Sequence, residues 1–193
     1  MTKKFRSITT LMLVMSIVLV GCGKEVVNLD ANGISIDLPD GFTDTDDYGN
    51  YLYHKSFNEN TDVYIAYSSY IPVGQDDIQN YNNDQVLSLM TDYIFKNVAT
   101  HYGVANNAFE LNNTTRESAN ILNGSFTYDT GSMHIFEKSD DLYYAIYYGN
   151  VYIPEYNFKC PTYWIAFGTD TIDNRENIID SLNQTISTVE YSK

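Results

Sequence analysis

Along most of the chain apolar and polar positions alternate one by one, and in two places they recur at three and four. Ile34-Ser35-Ile36-Asp37-Leu38 alternates and stops at Pro39-Asp40-Gly41, which predicts a strand followed by a turn. Tyr51 to Phe57 and Val63 to Tyr70 read as a strand pair around the turn residues Asn58, Glu59 and Asn60, and Ile71-Pro72-Val73-Gly74 ends that segment. From Asp84 to Thr100 the period changes: Val86, Leu89, Met90, Tyr93, Ile94 and Val98 make one apolar helix face. Asn82 or Asn83 can cap its start, and Gly103 stands where a C-terminal cap belongs. Ala119 to Tyr128, Ser132 to Lys138, Leu142 to Tyr148 and Thr162 to Phe167 then read as strands, with Ser139-Asp140-Asp141 as a hairpin turn. In the third of these, Leu142, Tyr144, Ile146 and Tyr148 face one way and Tyr143, Ala145 and Tyr147 the other. Apolar residues on both faces predict a central strand covered on both sides. Arg175 to Val189 is a second amphipathic helix, with Ile179, Leu182, Ile186 and Val189 on its apolar face and Asp173 as its cap. The expected architecture is α+β: an antiparallel sheet of six to seven strands packed with two amphipathic helices.

The N-terminal pattern is of another kind. Lys3, Lys4 and Arg6 precede an apolar run from Ile8 to Val20, broken only by Thr9, Thr10 and Ser16. A positive start, a short apolar core and a small residue before a cut are the parts of a secretory signal. A membrane span needs about 20 apolar residues, and this run is shorter and ends at Gly21-Cys22-Gly23-Lys24. Leu19-Val20-Gly21-Cys22 resembles the lipobox of bacterial lipoprotein signal peptides at all four positions. The resemblance implies that the Cys22 sulfur takes diacylglycerol with palmitate-type acyl chains, that residues 1–21 are removed, and that Cys22 becomes the first residue. One acyl chain holds a protein only marginally, whereas two or more hold it stably. The expected organisation is a signal peptide over 1–21, a polar linker from the lipidated cysteine over 22–32, and one α+β domain over 33–193. The expected location is the extracytoplasmic face of a bacterial membrane.

Without residues 1–21 the 193-residue chain keeps 172, enough for one domain with a sizeable core. It then carries 8 basic residues (11 less Lys3, Lys4 and Arg6) against 25 acidic ones, a net charge of −17. Such a domain repels nucleic acid and anionic lipid surfaces, and its acidity serves solubility before it serves docking. With Cys22 lipidated, Cys160 has no intrachain partner, so no disulfide is expected; Cys160 reads as a buried, inert thiol.

The opening Gly33-Ile34-Ser35-Ile36-Asp37-Leu38-Pro39-Asp40-Gly41-Phe42, a long middle helix, a hairpin meander and a closing Ile178-Ile179-Asp180-Ser181-Leu182 helix resemble the PsbP-like fold. The resemblance runs from Gly33 to about Glu190. It implies an antiparallel sheet between helices, used as a binding or accessory module, and brings no shared catalytic set to any residue here.

The residues themselves point to no reaction. Asp44-Thr45-Asp46-Asp47-Tyr48-Gly49 begins like a calcium loop, but Tyr48 stands at its fifth position and Lys55 at its twelfth, where a bidentate Glu is needed. His54, His101 and His134 lack the paired spacing of a zinc site. There is no Gly-x-Ser-x-Gly elbow and no Gly-rich phosphate loop, and Cys160 with a distant histidine is a pairing open to any chain holding one of each. No metal, cofactor or catalytic residue is expected. What remains is aromatic: 18 tyrosines, among them Tyr143, Tyr147, Tyr148 and Tyr152, with Tyr163 and Trp164 following. Two readings stay open, a contact surface made of these rings or a core that the helices cover. The expected function is a non-enzymatic protein-binding or accessory module at the cell envelope. The alternative is a small-ligand binder with an aromatic pocket between sheet and helix, and an enzyme without a recognisable motif comes third. A concave pocket favours a ligand, an exposed flat patch a protein partner.

Overall fold

Strands that are apolar on both faces are satisfied only inside a sheet covered on both sides, and this chain builds one. The computed structural model describes residues 26–29, 34–37, 39–44, 52–58, 61–69, 80–88, 99, 102–105, 109–122, 124–136, 141–153 and 158–191. Strands β1 (Val26–Leu29), β2 (Ile34–Asp37), β3 (Thr43–Asp44), β4 (Leu52–Asn58) and β5 (Thr61–Ser69) come first. A helix, α1, follows and is described over 83–88. Four long strands then run in succession, β6 (Phe109–Ile121), β7 (Gly124–Ile135), β8 (Leu142–Ile153) and β9 (Phe158–Thr169). Helix α2 (Ile172–Ser187) and the short β10 (Glu190–Tyr191) close the chain. The main sheet has seven antiparallel strands in the order β3-β4-β5-β9-β8-β7-β6, and β1-β2-β10 form a small second sheet. The expected architecture is the one found.

Period two divides the core. On β8 and β9, Leu142, Tyr144, Ile146, Tyr148, Tyr163, Ile165 and Phe167 point to the face that carries Val86 of α1 and Ala99. Tyr143, Ala145, Trp164 and Ala166 point to the other face, against Ile178 and Leu182 of α2. The sheet is therefore the middle layer between two helices.

Both helices are capped by side chains that lie next to them in sequence. The Asn82 Oδ1 accepts from the Gln85 backbone N–H, and the Gln85 Oε1 accepts from the Asn82 N–H, both at 2.9 Å. This reciprocal box satisfies two donors that a helix start leaves open. Gly103, at φ +65, follows a helical Tyr102, and the Val104 N–H reaches back to the Ala99 carbonyl at 3.0 Å. That is the closure a left-handed glycine makes possible. Helix α2 is capped by Thr171, whose Oγ1 accepts from the Asn174 N–H at 3.2 Å. Asp173, expected as the cap, instead lies in the first turn, where its charge still favours the helix N-terminus.

Three expectations need correction. The strand expected from Ala119 to Tyr128 is the end of β6, a tight turn at Leu122 (φ 49), and the start of β7. The gap expected between Tyr128 and Ser132 does not exist, because β7 runs straight through Gly131. Gly131 is there for close approach: a Cβ would lie 1.9 Å from the Asn112 carbonyl oxygen, where the register of β6 shifts between Asn113 and Thr115. Finally, the stretch expected to be linker contains β1, which pairs with β2 from Val26↔Asp37 to Leu29↔Ile34.

Candidate functional site

The six aromatic residues expected to form one surface do not come together. Tyr143, Tyr147 and Trp164 belong to the α2 face of the sheet, while Tyr148, Tyr163 and Tyr152 belong to the α1 face, since neighbours along a strand point to opposite sides. Tyr148, Tyr163 and Trp164 are fully buried and Tyr143 nearly so. Trp164 packs its ring 5.4 Å from that of Phe126. Tyr147 is half-buried, stacked on Tyr128 at 4.5 Å, and its hydroxyl donates to Asn183 Oδ1 of α2 at 2.9 Å. Tyr152 alone of the six is exposed, at 41%. The remaining expected positions are less informative. Leu19, Val20, Gly21 and Cys22, residues 45–50 and His101 lie outside the described residues, as does the side chain of Cys160. The His134 Nδ1 pairs with Asp141 Oδ1 at 2.6 Å on the surface. Among the described residues no three His, Cys, Asp or Glu side chains cluster as metal ligands do.

On the α1 face a charged network replaces part of the core. The Asp129 carboxylate, 1% exposed, accepts from Arg116 Nη2 at 2.7 Å and Nε at 2.9 Å, and from the Tyr148 hydroxyl at 2.8 Å. Arg116 Nη1 reaches on to Asp84 of α1 at 3.2 Å. A fork of guanidinium donors on one carboxylate is among the stronger polar contacts a protein makes. It holds the Arg116 guanidinium well above its ordinary pKa, through the hydrogen bond to Asp129 first and nearby negative charge after it. The pair was present in the sequence only as register: Arg116 stands directly opposite Asp129 across β6 and β7.

Beside this network the start of α1 and the two residues before it lie against four strands, β6 to β9, and leave a cleft of about 610 Å³. Tyr81, Asn82, Asn83 and Asp84 form one wall; Arg116, Ser125, Thr127, Asn150, Tyr152 and Lys159 belong to the other side. Two hydrogen bonds fix its shape: Asn83 Nδ2 donates to Thr127 Oγ1 at 3.0 Å, and Asn150 Nδ2 donates to the Tyr81 carbonyl at 3.2 Å. Asn150 is 9% exposed, and its Oδ1 has no hydrogen-bond partner among the described residues. Of these cleft residues only Tyr152 was expected in a binding surface; Asn82, Asn83 and Asp84 stood out in the sequence only as the start of a helix. The available signal was Asn150 itself, a lone amide between Tyr148 and Val151 in an otherwise apolar strand.

The tyrosines set an alkaline limit on the fold. Burial pushes the hydroxyls of Tyr128, Tyr144, Tyr147 and Tyr148 above their ordinary pKa, and Tyr148 is pushed further by its hydrogen bond to Asp129. A raised folded pKa favours the protonated form, so this stability is complete below the unfolded tyrosine value of about 10 and is lost as pH rises beyond it. The melting temperature is expected to hold to about pH 10 and fall steeply above it. Tyrosinate ultraviolet absorbance, followed in parallel, should appear with unfolding and not before it.

No protein-family model and no curated protein matches the chain. Among solved structures it is similar to the cyanobacterial PsbP protein CyanoP of Synechocystis, at 10% identity and a TM-score of 0.50, over 90% of this chain and 98% of that one. It is also similar to LpqN, involved in cell envelope biogenesis of Mycobacterium tuberculosis, at 14% identity and a TM-score of 0.51, over 87% of this chain and 90% of that one. At such identities the likeness is one of fold, and the fold is PsbP-like.

Proposed function

We propose that this chain is a lipid-anchored, extracytoplasmic binding module of a bacterial cell envelope, without catalytic activity of its own, and that it binds in the cleft between α1 and the sheet. The observation that carries the reading is the cleft: concave, about 610 Å³ in volume, and lined mostly by polar side chains. The aromatic side chains that would have made a flat contact patch are instead mostly core. The envelope setting is supported by the lipobox Leu19-Val20-Gly21-Cys22 and by the shared fold with LpqN, a protein of envelope biogenesis. Lipid on Cys22 is the membrane contact, since the acidic domain is repelled by anionic headgroups.

A protein partner is the second reading, favoured by Phe136 and Ile172, which are 57% and 81% exposed. Both stand at the end of the sheet away from the cleft, where β7 turns towards β8 and β9 enters α2. An envelope protein docking there would use the module as an accessory subunit.

The anchor is tested by Cys22→Ser in the producing cell. The wild-type chain is expected in the membrane fraction, with a mass that starts at diacylglyceryl-cysteine; the variant is expected to lack lipid and keep residues 1–21. A wild-type chain recovered without lipid from the soluble fraction contradicts the anchor.

A further inference from the structure

The two edges of the main sheet are unlike. At one, β3 is 2 residues long, and β4, which runs past it, carries Lys55. A short strand and a lysine both close an edge to other chains. At the other, β6 runs for 13 residues with neither lysine nor proline, and among the described residues it pairs with β7 alone. From Asn112 to Ser118 every residue is exposed, so neither face of the strand is covered there. The register shift between Asn113 and Thr115 bounds a straight stretch from Thr115 to Ile121, which pairs residue by residue with Thr130 to Gly124. Ile121 and Gly124 close a two-residue turn, which makes them a hydrogen-bonded pair. By alternation Thr115, Glu117 and Ala119 bond to β7, while Arg116, Ser118 and Asn120 turn their N–H and C=O groups outwards.

We infer that this chain forms a two-fold dimer in which β6 pairs with β6 of a second copy, antiparallel and centred on Ser118. The side chains exposed from Asn112 to Ser118 are Asn, Thr, Arg, Glu and Ser, polar on both faces. A foreign strand added here gains backbone bonds but finds no pockets for its side chains, and pockets are what give strand addition its selectivity. A second copy brings the same row of outward groups and needs no pocket, since a two-fold contact is complementary to itself. The charges select the register. An axis at Arg116 or Glu117 sets like charges directly opposite each other, which is destabilising. An axis at Ser118 pairs Ser118 with Ser118, Arg116 with Asn120 and Glu117 with Ala119 of the second copy, and uses every outward group from Arg116 to Asn120. The short β3 edge stops the assembly at two copies. This dimer is independent of what the cleft binds.

The test is sedimentation equilibrium of the full chain in density-matched detergent, up to about 200 µM and at salt of about 0.05 and about 0.3 M. A monomer–dimer equilibrium is expected, tighter at the higher salt, because two chains of net charge −14 repel and salt screens that repulsion. Ser118→Pro removes the N–H at the axis without touching the ladder to β7, and should weaken the dimer about tenfold or more. Ser118→Lys sets two lysines face to face and leaves the backbone as it is. It should weaken the dimer several-fold, which keeps the test open where proline disturbs the strand. Ser118→Cys should give a disulfide-linked dimer on mild oxidation, above the wild-type level, because the Cα atoms of a hydrogen-bonded antiparallel pair stand about 5.5 Å apart. Glu110→Cys, exposed on the same strand beyond the register shift, should not. A monomer throughout the range overturns the inference. Growth beyond two copies overturns it too, as does a dimer that Ser118→Pro and Ser118→Lys both leave unchanged, which moves the contact to another face. A Ser118→Cys chain that crosslinks no more than Glu110→Cys overturns the register.

Discussion

Arg116→Ala is expected to destabilise the fold by about 3 kcal/mol, although Arg116 is the more exposed member of its ion pair. Removing the arginine leaves the Asp129 carboxylate, 1% exposed, with the Tyr148 hydroxyl as its remaining donor among the described residues. A buried charge without its counterion is the costly outcome of breaking such a pair. Asp129→Ala works the other way. It frees a guanidinium that is 46% exposed and can turn to water and to Asp84, and it strands only the Tyr148 hydroxyl, so about 1–3 kcal/mol is expected. The double variant should cost less than the sum of the two. Urea unfolding of the four proteins of this cycle reads the coupling directly. A larger loss for Asp129→Ala than for Arg116→Ala contradicts this asymmetry.

Trp164→Ala is expected to cost about 3–5 kcal/mol, the range for emptying a large aromatic site in a core. Trp164 is fully buried between Phe126 and the α2 face, so nothing at the surface collapses into the space it leaves. Trp164→Phe should cost much less than Trp164→Ala. Its smaller ring still fills most of the site, and it removes an indole N–H that has no acceptor among the described residues. Thermal and urea melts of both variants check this. A Trp164→Ala protein as stable as wild type, within about 0.5 kcal/mol, would return Trp164 to the surface.

The core was legible in the sequence because burial on both faces leaves a two-sided apolar pattern, as in Leu142 to Tyr148. The same pattern contained the fault in the expected aromatic surface: Tyr147 and Tyr148 cannot share a face, and neighbours in sequence are not neighbours on a sheet. β6 was missed over most of its length for the opposite reason. From Asn112 to Ser118 it is exposed along an edge of the sheet, so no apolar alternation is required of it. Turn-forming residues misled at Asp129-Thr130-Gly131, where the aspartate is a buried ion-pair partner and the glycine admits the bulged backbone of β6. The cap of α1 was legible to within one residue, Asn82 or Asn83, because the box that Asn82 makes with Gln85 is local and self-contained. The cleft was not legible, since its residues come from α1 and four strands and converge only through the sheet order.

A photo-crosslinking residue placed at Ser125 in the full-length chain, in its own cells, tests most directly whether the cleft is where this protein binds. Ser125 is exposed and lines the cleft, and Phe136, at the far end of the sheet, serves as the comparison position. After irradiation, mass spectrometry is expected to find a reproducible adduct at Ser125. Adducts confined to Phe136, with Ser125 unmodified, would contradict the cleft and place the binding surface on the opposite end of the sheet.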